Sequence, residues 1–127
     1  MYDWRKMTKA ERAKVLEMRK ERHLPWHSPP HWEQEGEHRY LVSAACYEHK
    51  AVIGKSSERM TACEAEVCRI CLEFCTEVSA WCVLPNHYHV LIRTAGRITE
   101  LLFELGQFHG RSSFAWNGED GRRGRKV

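Results

Sequence analysis

Two histidines separated by a single residue, His87 and His89, are the side chains best placed to do chemistry together. In an extended strand, residues two apart point to the same face. A strand through this pair would set two imidazoles side by side, with Tyr88, Val90 and Ile92 facing the other way. Two imidazoles on a rigid strand can chelate one divalent ion. Carboxylate, amide or water oxygens would complete such a site for Mg²⁺ or Mn²⁺. The chain has eight histidines in 127 residues, so the bare spacing recurs by chance and its weight comes from its surroundings.

Cysteine offers a second chemistry. The six thiols stand at Cys46, Cys63, Cys68, Cys71, Cys75 and Cys82. Cys68-Arg69-Ile70-Cys71 is a lone CxxC, and with Cys75 it would place three thiols on one helix face, a grip for a soft metal. A closed zinc site needs a fourth ligand, and there is no second CxxC. Met60, Val67, Ile70 and Phe74 share or border the same face, so these cysteines are expected to act as small core hydrophobes. The opening Met1-Tyr2-Asp3-Trp4-Arg5-Lys6 leads into charge rather than an apolar run, the pattern of a chain without a secretory signal. A cytoplasmic location and free thiols are therefore expected. No apolar run approaches the ~20 residues of a membrane span.

Several elements must position these groups. Thr8-Lys9-Ala10-Glu11 reads as a capping box opening a mostly exposed helix to about Arg22. Leu24 to Trp32 carries Pro25, Pro29 and Pro30 and forms a tether. A first strand is expected over Tyr40 to Tyr47. After Gly54-Lys55-Ser56-Ser57, a helix capped by Ser57 runs to about Thr76, burying Met60, Cys63, Val67, Ile70, Cys71 and Phe74. Val78–Leu84 and His87–Thr94 form a hairpin around the Pro85-Asn86 turn. A second helix from about Thr99 presents Leu101, Leu102, Leu105, Phe108 and Ser112. The class is α+β, a ferredoxin-like β-α-β-β-α(-β) order with an antiparallel sheet, the last helix and strand apparently missing. Helices on one sheet face leave the other free for chemistry. Three segments follow: an N-terminal basic helix and Pro-rich tether over 1–38, the incomplete domain over 39–117, and a basic flexible tail over 118–127.

Charge is unevenly spread. The net formal charge is +3, yet residues 1–22 hold eight Lys/Arg against four acids, and the last seven hold four basic residues and no acid. Basic ends around an acidic middle suit a polyanion gripped by arms. Arg111, Arg122, Arg123, Arg125 and Lys126 could track phosphates, with Trp116 between them stacking a base.

Trp81-Cys82-Val83-Leu84-Pro85-Asn86-His87-Tyr88-His89-Val90-Leu91-Ile92 closely resembles the signature of HUH single-tyrosine transposases, especially the REP-associated kind. Leu24 to His31 with Tyr40 to His49, and Phe108 to Asn117 running into Gly124-Arg125-Lys126-Val127, also resemble one subgroup. Tyr88 departs slightly, because an aliphatic is usual there. The resemblance implies a protein that cuts and rejoins single-stranded DNA at the foot of a hairpin, with His87 and His89 holding Mg²⁺ or Mn²⁺. It implies a nucleophilic tyrosine and a third metal ligand on a later helix, and a homodimer.

The chain's tyrosines are Tyr2, Tyr40, Tyr47 and Tyr88. None follows the histidine pair, so the nucleophile is expected beyond Val127, and this chain alone is expected to bind DNA without cleaving it. Two alternatives stay open from sequence: a catalytically inactive module that binds hairpin DNA, and a small Cys/His zinc protein.

Overall fold

A computed structural model describes residues 4–24 and 36–122. The chain divides into two units, Met1–His31 and Trp32–Val127. The Leu24–Trp32 tether lies mostly outside the described residues, as do Arg123, Arg125 and Lys126.

In the first unit, helix α1 spans Lys9–Glu21 and opens on the expected capping box. The Thr8 side chain accepts from the Glu11 amide, and the Glu11 carboxylate accepts from the Thr8 amide at 2.7 Å. These bonds satisfy two donors that the first helical turn leaves without partners. Thr8 holds the Glu11 carboxyl below its ordinary value. Arg12 donates to the Trp4 carbonyl at 3.0 Å and lies over the Trp4 ring, tying the start of the chain to the helix. No residue of α1 is buried, as its sparse apolar content requires.

The second unit is α+β. Strands β1 (Glu37–Ala45), β2 (Glu77–Leu84) and β3 (His87–Ala95) form one sheet in the order β1-β3-β2, and both outer strands run antiparallel to β3. Helix α2 (Ser57–Phe74) links β1 to β2, and α3 (Ile98–Glu119) follows β3. Strict alternation along β3 sorts its side chains. Tyr88, Val90, Ile92 and Thr94 are buried, while His87, His89, Leu91 and Arg93 stand on the other face.

The buried set packs against Cys63, Val67, Ile70 and Cys71 of α2 and Ile98, Leu101, Leu105 and Phe108 of α3. A fully buried aliphatic side chain of this kind contributes about 2 kcal/mol, so this layer holds the fold together. Met60 and Phe74 border the core rather than filling it, and Leu102 does likewise.

Several boundaries differ from the sequence reading. Strand β1 begins at Glu37, because Glu37, His38 and Arg39 pair with Ala95, Thr94 and Arg93 of the central strand. It ends at Ala45, where the chain enters a tight turn at Tyr47–His49. Helix α3 continues through Gly118 to Glu119, past the start of the expected flexible tail.

The extension of α3 has a clear anchor. The Arg59 guanidinium, from the first turn of α2, donates to Glu119 and to Asp120, each at 2.8 Å, and to the Trp116 carbonyl at 3.4 Å. Lys55 adds a 2.6 Å ion pair to Asp120. The α2 cap is Ser56, one residue before the expected Ser57, and its hydroxyl accepts from the Arg59 amide.

Candidate metal-binding histidine pair

The pair sits at the start of the central strand, flanked on both sides. His89 lies opposite Ser43 on β1 and Cys82 on β2, and His87 lies opposite Ala45 and Leu84. Cross-strand partners share a face, so these six side chains form one patch on the sheet face that α2 and α3 do not cover. The two imidazole rings are 4.9 Å apart between centroids and inclined at 77°. Two imidazoles bound to one ion at about 2.1 Å, with roughly 100° between them, place their ring centres about 5 Å apart. The 4.9 Å separation matches that spacing.

Each ring is held through Nδ1. His87 Nδ1 lies 2.6 Å from Asn86 Oδ1, and His89 Nδ1 lies 2.5 Å from Ser43 Oγ. Among the described residues neither Nε2 has a hydrogen-bond partner. Nδ1 engaged and Nε2 spare is the arrangement of metal-bound histidines, whose second nitrogen is fixed by a carbonyl, carboxylate or hydroxyl.

The turn that delivers the pair is itself clamped. Asn86 Nδ2 donates to the His49 carbonyl at 3.0 Å. The Cys46 amide donates to the Asn86 carbonyl and the Gly54 amide to the Pro85 carbonyl, both at 2.8 Å. Gly54 backs directly onto the proline ring: a Cβ there would lie 2.3 Å from the Pro85 Cβ and 2.7 Å from its Cα. The segment between β1 and α2 therefore braces the hairpin on which His87 begins.

The rest of the open face is mixed. Leu41 is 67% exposed, and Leu84 and Leu91 are also exposed. At the far end Arg93 bridges Glu37 and Glu77. The Glu77 carboxyl is held below its ordinary value by the Ser79 hydroxyl and then by Arg93. Among the described residues, no group of three or more His, Cys, Asp or Glu is placed to hold a metal ion. A cation at the pair would need further donors from outside that set.

The other expected residues fall elsewhere. Cys46, Cys63 and Cys71 are buried, Cys68 and Cys75 half-buried, and Cys82 exposed. Burial pushes the Cys63 thiol up to about 11, which suits a packing role rather than a ligand.

Tyr88 is buried on the helical side, where its hydroxyl meets His109 Nε2 at 3.0 Å. Burial drives the Tyr88 phenol up and the His109 imidazole down, so both stay neutral. Tyr40 borders the same core, and Tyr47 lies in the turn after β1. Tyr40 and Tyr88 therefore both face away from the histidine pair.

Arg111 is exposed on α3, 3.6 Å from Glu66 of α2, and Arg122 is exposed just after the helix. Both belong to the helical layer, on the opposite side of the sheet from the histidines. Trp116 is corrected: it is only 9% exposed, and the Arg59 guanidinium lies 5.8 Å from its ring centroid. Its indole is part of the core and is not open to stack a base.

Sequence reasoning missed the partners of the pair. Ser43 needs the β1–β3 register to be seen opposite His89. Asn86 was visible in the motif, but its bond to the His49 carbonyl joins residues 37 apart. Comparison with known proteins returned no matching family model, no matching curated protein and no matching solved structure.

Proposed function

We propose that this chain is a module of the HUH single-tyrosine transposase type that binds single-stranded or hairpin DNA at a divalent cation held by His87 and His89. The observation that carries this reading is the pair itself: two rings at chelating separation, each tied through Nδ1, each with Nε2 spare on an open face. The strand order, with a helix between β1 and β2 and another after β3, supports a ferredoxin-like core. When bound, Mg²⁺ or Mn²⁺ would supply Lewis-acid polarisation of a phosphate oxygen. The chain's own residues orient the two imidazoles and present a flat, open surface beside them. Arg111 and Arg122 add positive charge on the helical layer, where a duplex or hairpin stem could be gripped.

The second reading, a hairpin-DNA binder without cleavage, is favoured for this chain alone by where Tyr40 and Tyr88 point. Tyr88 is sealed in the core and Tyr40 borders it, so neither hydroxyl can reach a phosphate at the pair. The zinc reading has no comparable support, because Cys63 and Cys71 are packed in the core and Cys68 and Cys75 are half-buried. No described helix is long and apolar enough to cross a membrane. Self-association through the open edges of β1 and β2 fits a homodimer.

Mn²⁺ titration followed by electron paramagnetic resonance tests the reading. Wild type should bind one Mn²⁺ per chain, and His87→Ala or His89→Ala should weaken it at least about tenfold. Binding to a hairpin oligonucleotide should fall steeply with salt, and a denaturing gel should show no covalent adduct. Equal Mn²⁺ binding by wild type and both variants would remove the metal from the proposal.

A further inference from the structure

The hydrogen bonds at the hairpin turn carry directional information that fixes a proton. The His49 carbonyl oxygen can only accept, so the Asn86 group 3.0 Å from it must be the amide Nδ2. That orientation leaves Asn86 Oδ1 facing His87 Nδ1 at 2.6 Å. An amide oxygen also can only accept, so the neutral His87 ring must carry its proton on Nδ1. The lone pair is then on Nε2. We propose that Asn86 is a positioning residue: oriented by the His49 carbonyl, it selects the Nδ1–H tautomer of His87 and so keeps Nε2 as the nitrogen available to a divalent cation. The tautomer follows from geometry alone, while its use for a cation rests on the function proposed above.

The turn that offers the His49 carbonyl is unusual in a way that supports a dedicated role. Glu48 and His49 adopt left-handed conformations, with φ of +55° and +53°. Two consecutive non-glycine residues in that region are strained and persist only where surrounding contacts over-determine them. Here the contacts are the His49 amide to the Cys46 carbonyl and the Lys50 amide to the Tyr47 carbonyl, closing the turn at 3.0 and 3.3 Å. Gly54 against Pro85 completes the brace from the other side. Ser43 does not impose the same choice on His89, because a hydroxyl can donate or accept. The two histidines therefore differ: one tautomer is dictated and the other is free to adapt.

Long-range ¹H–¹⁵N correlation spectra of the full chain, recorded above the imidazole titration range, read which ring nitrogen holds the proton without any metal. Wild type should show His87 as the Nδ1–H form. Asn86→Ala should shift His87 toward Nε2–H, whereas Asn86→Asp keeps an acceptor beside Nδ1 but loses the donor to the His49 carbonyl, so it should hold the Nδ1–H form while loosening the turn. Mn²⁺ affinity should fall about 10- to 100-fold in Asn86→Ala. If Asn86→Ala fails to fold, Asn86→Leu, close in size and without an amide, takes its place, and the same shift toward Nε2–H is expected. An Nε2–H His87 in wild type overturns the proposal, as does an unchanged tautomer in folded Asn86→Ala. The expected tautomers without Mn²⁺ binding would support the role of Asn86 and count against the metal.

Discussion

The two faces of strand β3 are made from alternating residues of one short segment, yet they obey opposite rules. On the helical face, Tyr88, Val90, Ile92 and Thr94 are buried, and the polar atoms among them are satisfied: the Tyr88 hydroxyl by His109, the Thr94 hydroxyl by the Phe74 carbonyl at 2.8 Å. On the open face, His87 and His89 use one nitrogen each and keep the other unpartnered among the described residues. A fold gains stability by leaving no polar group without a partner. Spare ring nitrogens on an open, braced surface gain nothing for folding and are what a ligand needs. The contrast separates residues that hold the protein together from residues that hold something else.

Substitution on each face should therefore have opposite signatures. Tyr88→Ala removes a 2% exposed ring from between the two helices and should cost about 3–5 kcal/mol, read by chemical denaturation. A loss below about 1 kcal/mol would mean that the helical face is not the structural one. Arg59→Ala comes next, because it leaves Asp120, which is 9% exposed at the side chain, with Lys55 as its remaining cation. Losing these bonds should lower stability measurably, and the last turn of α3 should lose amide-exchange protection first. His87→Ala and His89→Ala should change stability by less than about 1 kcal/mol while removing Mn²⁺ binding. A large loss of stability from either would merge the two faces into one structural unit and end the contrast.

How much of this was legible in the sequence depends on how local each feature is. The α1 capping box, the apolar stripe of α2 and the Pro85-Asn86 hairpin are set by residues within a few positions of one another, and the structure reproduces them. The same-face placement of His87 and His89 follows from strand alternation and was equally readable. What was not readable depends on pairing across long separations. The polar Glu37-His38-Arg39 becomes strand only because Ala95, Thr94 and Arg93 lie beside it.

From its place between Arg111 and Arg122, Trp116 reads as an aromatic open to stack a base. It is core because Arg59, 57 residues earlier, reaches its carbonyl and its ring. Ser43 beside His89 and His49 behind Asn86 are likewise products of register and turn geometry, which periodicity does not encode.

The mildest test concerns the Arg59 cluster and acid. Hydrogen bonds from Arg59 and then Lys55 hold the Asp120 carboxyl down at about 2, below its ordinary value of 3.8. A carboxyl whose folded value is depressed stabilises the fold above its unfolded value, and that contribution is lost as pH falls through the folded value. Asp120 should therefore support the fold in full above about pH 4 and progressively less down to about pH 2. Thermal melts of wild type and Asp120→Asn across this window isolate the effect, because the other carboxyls titrate alike in both. The difference in melting temperature should be constant above about pH 4 and narrow below it. A difference that stays constant to pH 2 would show that Asp120 is not held by Arg59. The anchoring of α3, and with it the burial of Trp116, would then need another cause.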